Sequence, residues 1–321
     1  MAGSITHTYF SKDIYSKLDT NTKAIIENSK ESFKTFNQGF DVLFFAGKKY
    51  KKLGNYFHQN NTQLFFLNLV NYIRKNNLKG NPEVMSFLYG LICHYSLDLN
   101  IHPYVIYKSG YFDRSKKETW KYKGNHSEME SYIDAYLIEQ NENIKAYELD
   151  PGKFCFDYVN LSDDIIKMID SVFLSTYNKK NIGKKYEKGI KKMKFLYSLL
   201  RYDKKGKKKK FYEFLDNKFP SKNMKYSPIS YYINLNKNYF YLNLEHRKWC
   251  HPMDKKETYT YSFEDIYKNA MKQAIALINV VNEVIYYNKT SNYLKKFFKN
   301  TSMVSGKEIG EKKEYKYFEF K

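Results

Sequence analysis

The sequence of 321 residues predicts an all-α fold built as a single multi-helix domain. Three observations carry that prediction. Apolar residues recur at helical spacing through most of the chain, the stretch PEVMSFLYGLICHYSLD (82–98) is apolar on every side, and alternating, strand-like patterning is confined to 226–247. No Pro-, Gly- or Ser-rich linker and no internal repeat divides the chain, so one domain is expected over 1–302, followed by a charged C-terminal tail at 303–321.

Taken in order, residues 8–19 read as a short helix behind a Ser4 or Thr6 cap, and 21–36 as a second, with Ile25, Ile26, Phe33 and Phe36 at helical spacing. Asn37-Gln38-Gly39 breaks it, Asp41 precedes an apolar run towards Leu53, and TQLFFLNLVNYIRKN (62–76) is an amphipathic helix starting just after His58. Asp41 and His58 therefore fall at helix ends. Pro82 opens the central apolar helix and Pro103 is expected to follow its end. Residues 104–124 read as a polar, aromatic loop able to reach over a site, with Tyr104, Tyr107, Tyr111 and Phe112 available to a cationic head group or a base. Helices resume at SEMESYIDAYLIEQN and add 162–177, 185–201 and 262–287, the last opened by a capping box from Ser262 to Asp265. The run KKGKKKK (204–210) reads as an exposed loop, the stretch YYINLNKNYFYLNL within 226–247 as a small β-hairpin, and the tail after Ser302 as loosely attached.

The formal charge of +21 is uneven. Residues 1–150 hold 19 Lys and Arg against 16 Asp and Glu, while residues 151–321 hold 36 against 18. So basic a half would concentrate nucleic acid, an anionic membrane surface or a phosphorylated substrate. Three widely spaced cysteines without a CxxC pair suit a reduced compartment, and neither an apolar leader nor an apolar run of membrane-spanning length occurs, so a cytoplasmic protein without a transmembrane segment is expected. The absence of a Gly-rich phosphate loop, a G-x-S-x-G elbow and an HExxH pair disfavours nucleotide-driven and serine-hydrolase chemistry.

The chemistry concentrates in HYSLDLNIHP (94–103) and NHSEMESYID (125–134). His94 and Asp98 are four residues apart, as are His126, Glu130 and Asp134, so each set lines one helix face where nitrogen and oxygen donors converge. One such pair alone is more often a solvated helix face. Two pairs linked by His102, in a chain with five of its seven histidines in the first 126 residues beside Asp41, Asp98 and Glu130, point to bound metal. A second grouping, His246, Cys250 and His251 in EHRKWCHP, reads as a packed turn, with His251 closing over the cleft.

These two strings, together with QGFDVLFF, KLGNYFH and FLYGLICHYSLDLNIHPY, resemble the zinc-dependent phospholipase C family, which shares an all-helical trinuclear zinc fold with single-strand nucleases. The resemblance is strongest over 5–136, about two-fifths of the chain. It implies two to three Zn2+ ions: one held by Asp41, His58, His94 and Asp98, a second by His102, His126 and Glu130, and a third reached by Asp98 as a bridge and held by His7 with the amino group of Ala2 after loss of Met1. The interval from Asp98 to His102 is shorter than in the secreted phospholipases. The implied chemistry is phosphodiester hydrolysis by metal-activated water, with Asp41 as the catalytic residue that orients or deprotonates the water. Asp134, one turn beyond Glu130, would accept a hydrogen bond from His126 or a nearby ligand. A phospholipid or related ester is the expected substrate; the alternatives are a single-strand nuclease of the same fold and a non-catalytic, zinc-stabilised binding module.

Overall fold

The computed structural model describes residues 3–220, 224–235, 239–287, 289–311 and 314–319, and over them the fold is all-α with one small sheet. Its axis is α6 (Pro82–Ser109). The Asn81 side chain caps this helix by accepting from the N–H groups of Glu83 and Val84, and Pro82 fills the first position, where a missing N–H costs nothing. At 28 residues α6 is roughly 42 Å long. Being apolar all round, it is sheathed on every side: α12 (Phe263–Tyr286) lies along it, and α1 (Ser4–Lys17), α2 (Thr20–Glu27), α3 (Lys30–Phe36) and α7 (Asn125–Glu142) cover the remaining faces.

The helix does not stop before Pro103. It runs on to Ser109 and ends at Gly110, whose φ of 76° suits glycine. Pro103 removes one ladder hydrogen bond, but Ile101, Tyr104, Val105 and Ile106 are all fully buried, and that burial outweighs the local break. Residues 104–109 are therefore helix rather than loop.

The segment expected as one helix over 21–36 is two, α2 and α3, parted at Asn28-Ser29, residues that favour turns over helix interiors. A 3-10 turn, Gly39–Phe45, then leads to α4 (Lys48–Gln59) and α5 (Thr62–Lys75). Phe40 in that turn is the hub of an aromatic cluster: the rings of Phe57, Phe65, Phe87, Phe173 and Tyr186 stand 4.5, 5.5, 6.2, 4.9 and 5.1 Å from its centroid.

In the second half, α8 (Pro151–Cys155), α9 (Asp163–Tyr177) and α10 (Gly183–Leu200) follow. The lysine run is not all loop. Its last four residues open α11 (Lys207–Lys218), because the Asp203 carboxylate accepts from the N–H groups of Lys208 and Lys209 and offsets the repulsion among the lysines. The capping box between Ser262 and Asp265 opens α12 as expected. The hairpin lies just downstream of 226–247: β1 (Trp249–His251) pairs antiparallel with β2 (Asp254–Tyr259) across Pro252-Met253. Residues 227–229 and 239–241 are 3-10 turns, and the alternation there serves to bury Tyr231, Tyr241 and Leu242; 236–238 lie outside the described residues.

The tail is bound rather than loose where it is described. The N–H groups of Lys316 and Tyr317 donate to the Pro252 carbonyl and that of Glu319 to Tyr107, while Tyr315 packs on Tyr111 and Phe318 on Tyr122. Buried Lys108 pairs with Glu319 at 2.5 Å. Cys93 and Cys155 are buried free thiols and Cys250 is half-buried and free. Among the described residues no helix is long and apolar enough to cross a membrane.

Phe40→Ala is expected to lower the unfolding free energy by about 3–5 kcal/mol, the range for emptying an aromatic core site, as measured by denaturant titration.

Candidate metal centre

Five elements converge on one buried group of donors. His94, Asp98 and His102 lie at successive fourth positions along α6 and so share a face. α1 brings His7, the last turn of α4 brings His58, the 3-10 turn brings Asp41, and the first turns of α7 bring His126 and Glu130. Gly39 makes the approach of Asp41 possible: it has φ 52°, and a Cβ there would stand 2.3 Å from the His94 ring.

Asp41, His58, His94 and Asp98 each offer a ligand atom within 4.8 Å of the others, and all four are buried. His58 Nε2 is 3.0 Å from Asp41 Oδ1, 3.2 Å from His94 Nε2 and 3.6 Å from Asp98 Oδ2; His94 Nε2 is 3.5 Å from the same Asp98 oxygen. The other Asp98 oxygen faces His7 Nε2 at 3.3 Å and His102 Nδ1 at 3.8 Å. One carboxylate thus presents one oxygen to each side. His7 also stacks on His94, ring centroids 4.5 Å apart. His102, His126 and Glu130 form a second group of converging donors, in which the His102 and His126 rings stack at 5.8 Å and His126 Nε2 lies 2.9 Å from Glu130 Oε1. This group opens to solvent: His126 is 35% exposed, whereas His102 is buried. Met1 and Ala2 lie outside the described residues.

Tautomers fit metal ligation. His58 Nδ1–H donates to the Gly54 carbonyl at 2.7 Å, which leaves Nε2 as a lone pair directed at the cluster. His102 Nδ1–H donates to the Met303 carbonyl at 2.8 Å, and its buried Nε2 has no hydrogen-bond partner among the described residues. Burial pushes His94 and His102 down to about 3, so both imidazoles are neutral donors. Burial opposes ionisation of Asp98, yet His102, His94 and His7 around it hold it well below the usual carboxylate range. Glu130 is likewise held at about 2 against the cost of burial by surrounding positive charge, His126 included. Neutral imidazoles and ionised carboxylates, crowded at 3–4 Å in a dry site, are a donor set for a cation, and the mixed N/O chemistry fits zinc.

Asp134 does other work than expected. Its Oδ1 accepts from the backbone N–H of Thr6 at 2.9 Å and from the Thr6 hydroxyl at 2.7 Å, and its Oδ2 accepts from Tyr231 at 2.6 Å. The α1 N-cap position is Gly3, which has no side chain to cap with, and a Cβ there would fall 2.1 Å from the Asp134 carboxylate. Asp134 therefore caps α1 from across the fold and fixes His7 through that helix's backbone rather than through a histidine ring. Arg201 backs it: half-buried, it donates to Tyr231 at 2.8 Å.

Sequence reasoning missed Met303. Its N–H donates to the His58 carbonyl and its carbonyl receives the His102 imidazole, both at 2.8 Å, so one residue of the tail holds two ligand candidates. The surrounding turn is secured by the Thr62 hydroxyl donating to the Thr301 carbonyl, by a Tyr95–Thr301 hydroxyl pair, and by Gly306 (φ 68°), where a Cβ would stand 3.1 Å from the Leu99 carbonyl. His251 joins this turn instead of the cleft: Nε2–H donates to the Ser305 carbonyl and Nδ1 accepts from the Met253 N–H, so both nitrogens are committed. His246 is exposed, Tyr104 is fully buried against Trp249, and the half-buried Tyr107 packs on the same ring.

Comparison with known proteins agrees with this geometry. The family model for zinc dependent phospholipase C matches residues 6–183, which include every donor from His7 to Glu130. No curated protein and no solved structure matches the chain.

Two outcomes are expected. Burial works to lower the His58 pKa, but the hydrogen bond and charge of Asp41, with Asp98, raise it above the ordinary histidine value, so metal-free protein carries a proton there at and below about pH 6.5. Zinc needs that lone pair; calorimetry in buffers of differing ionisation enthalpy should show a proton released on binding, fading as pH rises through the raised His58 pKa, and absent in His58→Ala. Gly306→Ile, strained at positive φ and pressed on Leu99, should lift the turn from His102 and weaken zinc binding about 10–100-fold in a chelator competition, with helicity unchanged.

Proposed function

Since the chain belongs to the zinc-dependent phospholipase C family, its match extending over more than half of the sequence, we propose that it hydrolyses a phospholipid or closely related phosphoric ester, using two to three zinc ions and Asp41. The observation that carries this reading is the pair of donor groups joined through α6, in which the two oxygens of Asp98 face opposite sides. A structural staple needs only one closed set of ligands; two adjoining sets, one of them opening to solvent at His126, suit an ester whose phosphate has to be reached. Bound zinc supplies Lewis acidity to the phosphoryl oxygens and makes water a nucleophile at neutral pH.

The chain's own residues do the rest. Asp41 Oδ1, 3.0 Å from His58 Nε2 and buried, is placed to orient a water and take its proton as attack on phosphorus begins. That proton then passes to the alkoxide released when the ester P–O bond breaks. His94 and His102, kept neutral by burial, hold the donor set without titrating through the neutral range, and the aromatic wall around Phe40 and Phe57 keeps bulk water from the inner side. The Met303 carbonyl fixes the His102 tautomer so that Nε2 faces the second group.

The basic second half also suits a nuclease of the same family fold, and one experiment separates the readings. Purified protein is incubated with phosphatidylcholine vesicles and with single-stranded DNA. Release of phosphocholine is the expected result; cleavage of DNA alone would reject the phospholipid reading. Asp41→Asn should lower kcat by about 10²–10⁴-fold, the usual contribution of a general base. Inactivity of the wild type on every phosphodiester tried would leave zinc as a structural element of a binding module.

A further inference from the structure

The second half contains a face that the donor groups do not use. Between 183 and 218, spanning α10 and α11, the chain holds 14 Lys and Arg against 4 Asp and Glu. The charge is not spread evenly over a polar surface. Along α10, Lys188, Lys192, Phe195 and Leu199 follow one another at helical spacing and all are exposed; along α11, Lys207, Lys210, Phe211, Phe214 and Lys218 do the same. Phe195 is 63% exposed, Phe211 56%, Phe214 50% and Leu199 50%. Large apolar side chains left this open on two successive helices have a strong drive towards a non-aqueous surface.

The two helices are joined at one end. The Tyr212 hydroxyl donates to the Leu200 carbonyl at 2.9 Å, and the Lys208 ammonium reaches the carbonyls of Leu199 and Tyr202, so α11 is tied to the C-terminal end of α10. The turn after α11 touches the metal-bearing helix: Lys225 Nζ lies 3.5 Å from Glu128, between His126 and Glu130 in α7, and the Ser131 hydroxyl donates to the Pro228 carbonyl at 2.6 Å. The chain leaving α11 thus reaches the helix that carries His126, 35% exposed. Both stripes lie beyond residue 183, outside the part that matches the family model.

We propose that the exposed stripes of α10 and α11 form a docking face for an anionic lipid bilayer, with Phe195, Leu199, Phe211 and Phe214 entering the interface and the flanking lysines meeting lipid phosphates. Lysines bracketing Phe and Leu on a helix side are the arrangement that lies flat in a bilayer surface, the charges at headgroup level and the apolar side chains among the acyl chains. Charge complementarity selects the anionic leaflet. A single-stranded nucleic acid would meet the lysines equally well, but it offers nothing for Leu199, which has no ring to stack on a base. The proposal deepens the phospholipid reading and rests on it only for its purpose: docking would bring an ester held in a membrane to the His126 side of the donor groups.

The test is flotation of the full chain with vesicles of pure phosphatidylcholine and with vesicles containing a third phosphatidylglycerol, beside hydrolysis of a soluble aryl phosphodiester. Two variants are compared, Lys207→Gln/Lys210→Gln and Phe195→Ser/Phe211→Ser, each checked for wild-type zinc content and circular dichroism. Wild type should bind the anionic vesicles far more tightly than the zwitterionic ones. Each lysine removed should weaken binding about fivefold, and each phenylalanine on the order of tenfold, while hydrolysis of the soluble ester is unchanged. Equal binding of wild type and both variants would overturn the proposal, as would equal affinity for the two vesicle types. So would absence of vesicle binding together with DNA binding that falls in the lysine variant alone. Hydrolysis of the soluble ester without vesicle binding would overturn the docking face and leave the enzyme reading standing; vesicle binding without hydrolysis of any ester would do the reverse.

Discussion

Two buried carboxylates, Asp41 and Asp98, stand among four imidazoles, of which burial keeps His94 and His102 neutral, and this crowding of donors governs the structure around them. An unneutralised charge in a dry interior is among the most costly arrangements a protein can contain. Here histidines stand against both: His7, His58, His94 and His102 around Asp98, and His58 and His94 around Asp41. The fold therefore holds ring nitrogens and carboxylates together where a divalent cation would lower the cost of their burial. It explains why so much backbone is committed to holding ring nitrogens still: a cation is bound well only where donors cannot relax towards each other.

The scaffold and the lysine-rich second half divide the labour. Donors come from residues 7–130, within a first 150 residues that hold 19 Lys and Arg against 16 Asp and Glu, and most of the surplus positive charge resides in the later part of the chain. Such a separation keeps the potential at the site set by its own carboxylates, while the exterior field acts at longer range and weakens with salt. The contact between Lys225 and Glu128 is one place where the halves meet, on the helix that carries His126 and Glu130.

Much of this was legible in the sequence. The helical spacing of His94, Asp98 and His102, and of His126 and Glu130, placed their donors on shared faces, because period and direction along a helix are local properties. His58 at the end of α4 and Asp41 in the preceding turn were legible from the punctuation around them. What was not legible is long-range. Asp134 sits one turn beyond Glu130 and by spacing alone looks like a partner of the ligands, yet it turns to α1, because Gly3 leaves helix N–H groups uncapped 128 residues away. Pro103 looked like a stop because propensity ranks it so, and the surrounding apolar core overrode it. The hairpin was displaced a few residues because aromatic alternation in 226–247 fills the interior without pairing, whereas Pro252-Met253 provides the reversal. Met303 contributes through its backbone, which leaves no mark in residue type at all.

The bond from His102 to Met303 closes a loop of 201 residues, and that from Thr6 to Asp134 closes one of 128. Closures of that length carry their entropic cost before they return any stabilisation, so they belong to the late stages of folding. Donors that helical spacing sets early in synthesis are thus aligned only when the segment around Met303 is present. A ribosome-bound fragment ending before Met303 would carry all the proposed ligands in sequence and lack the carbonyl that orients His102. Metal binding by the proposed ligands would then wait on the turn around Met303, far downstream of the last of them.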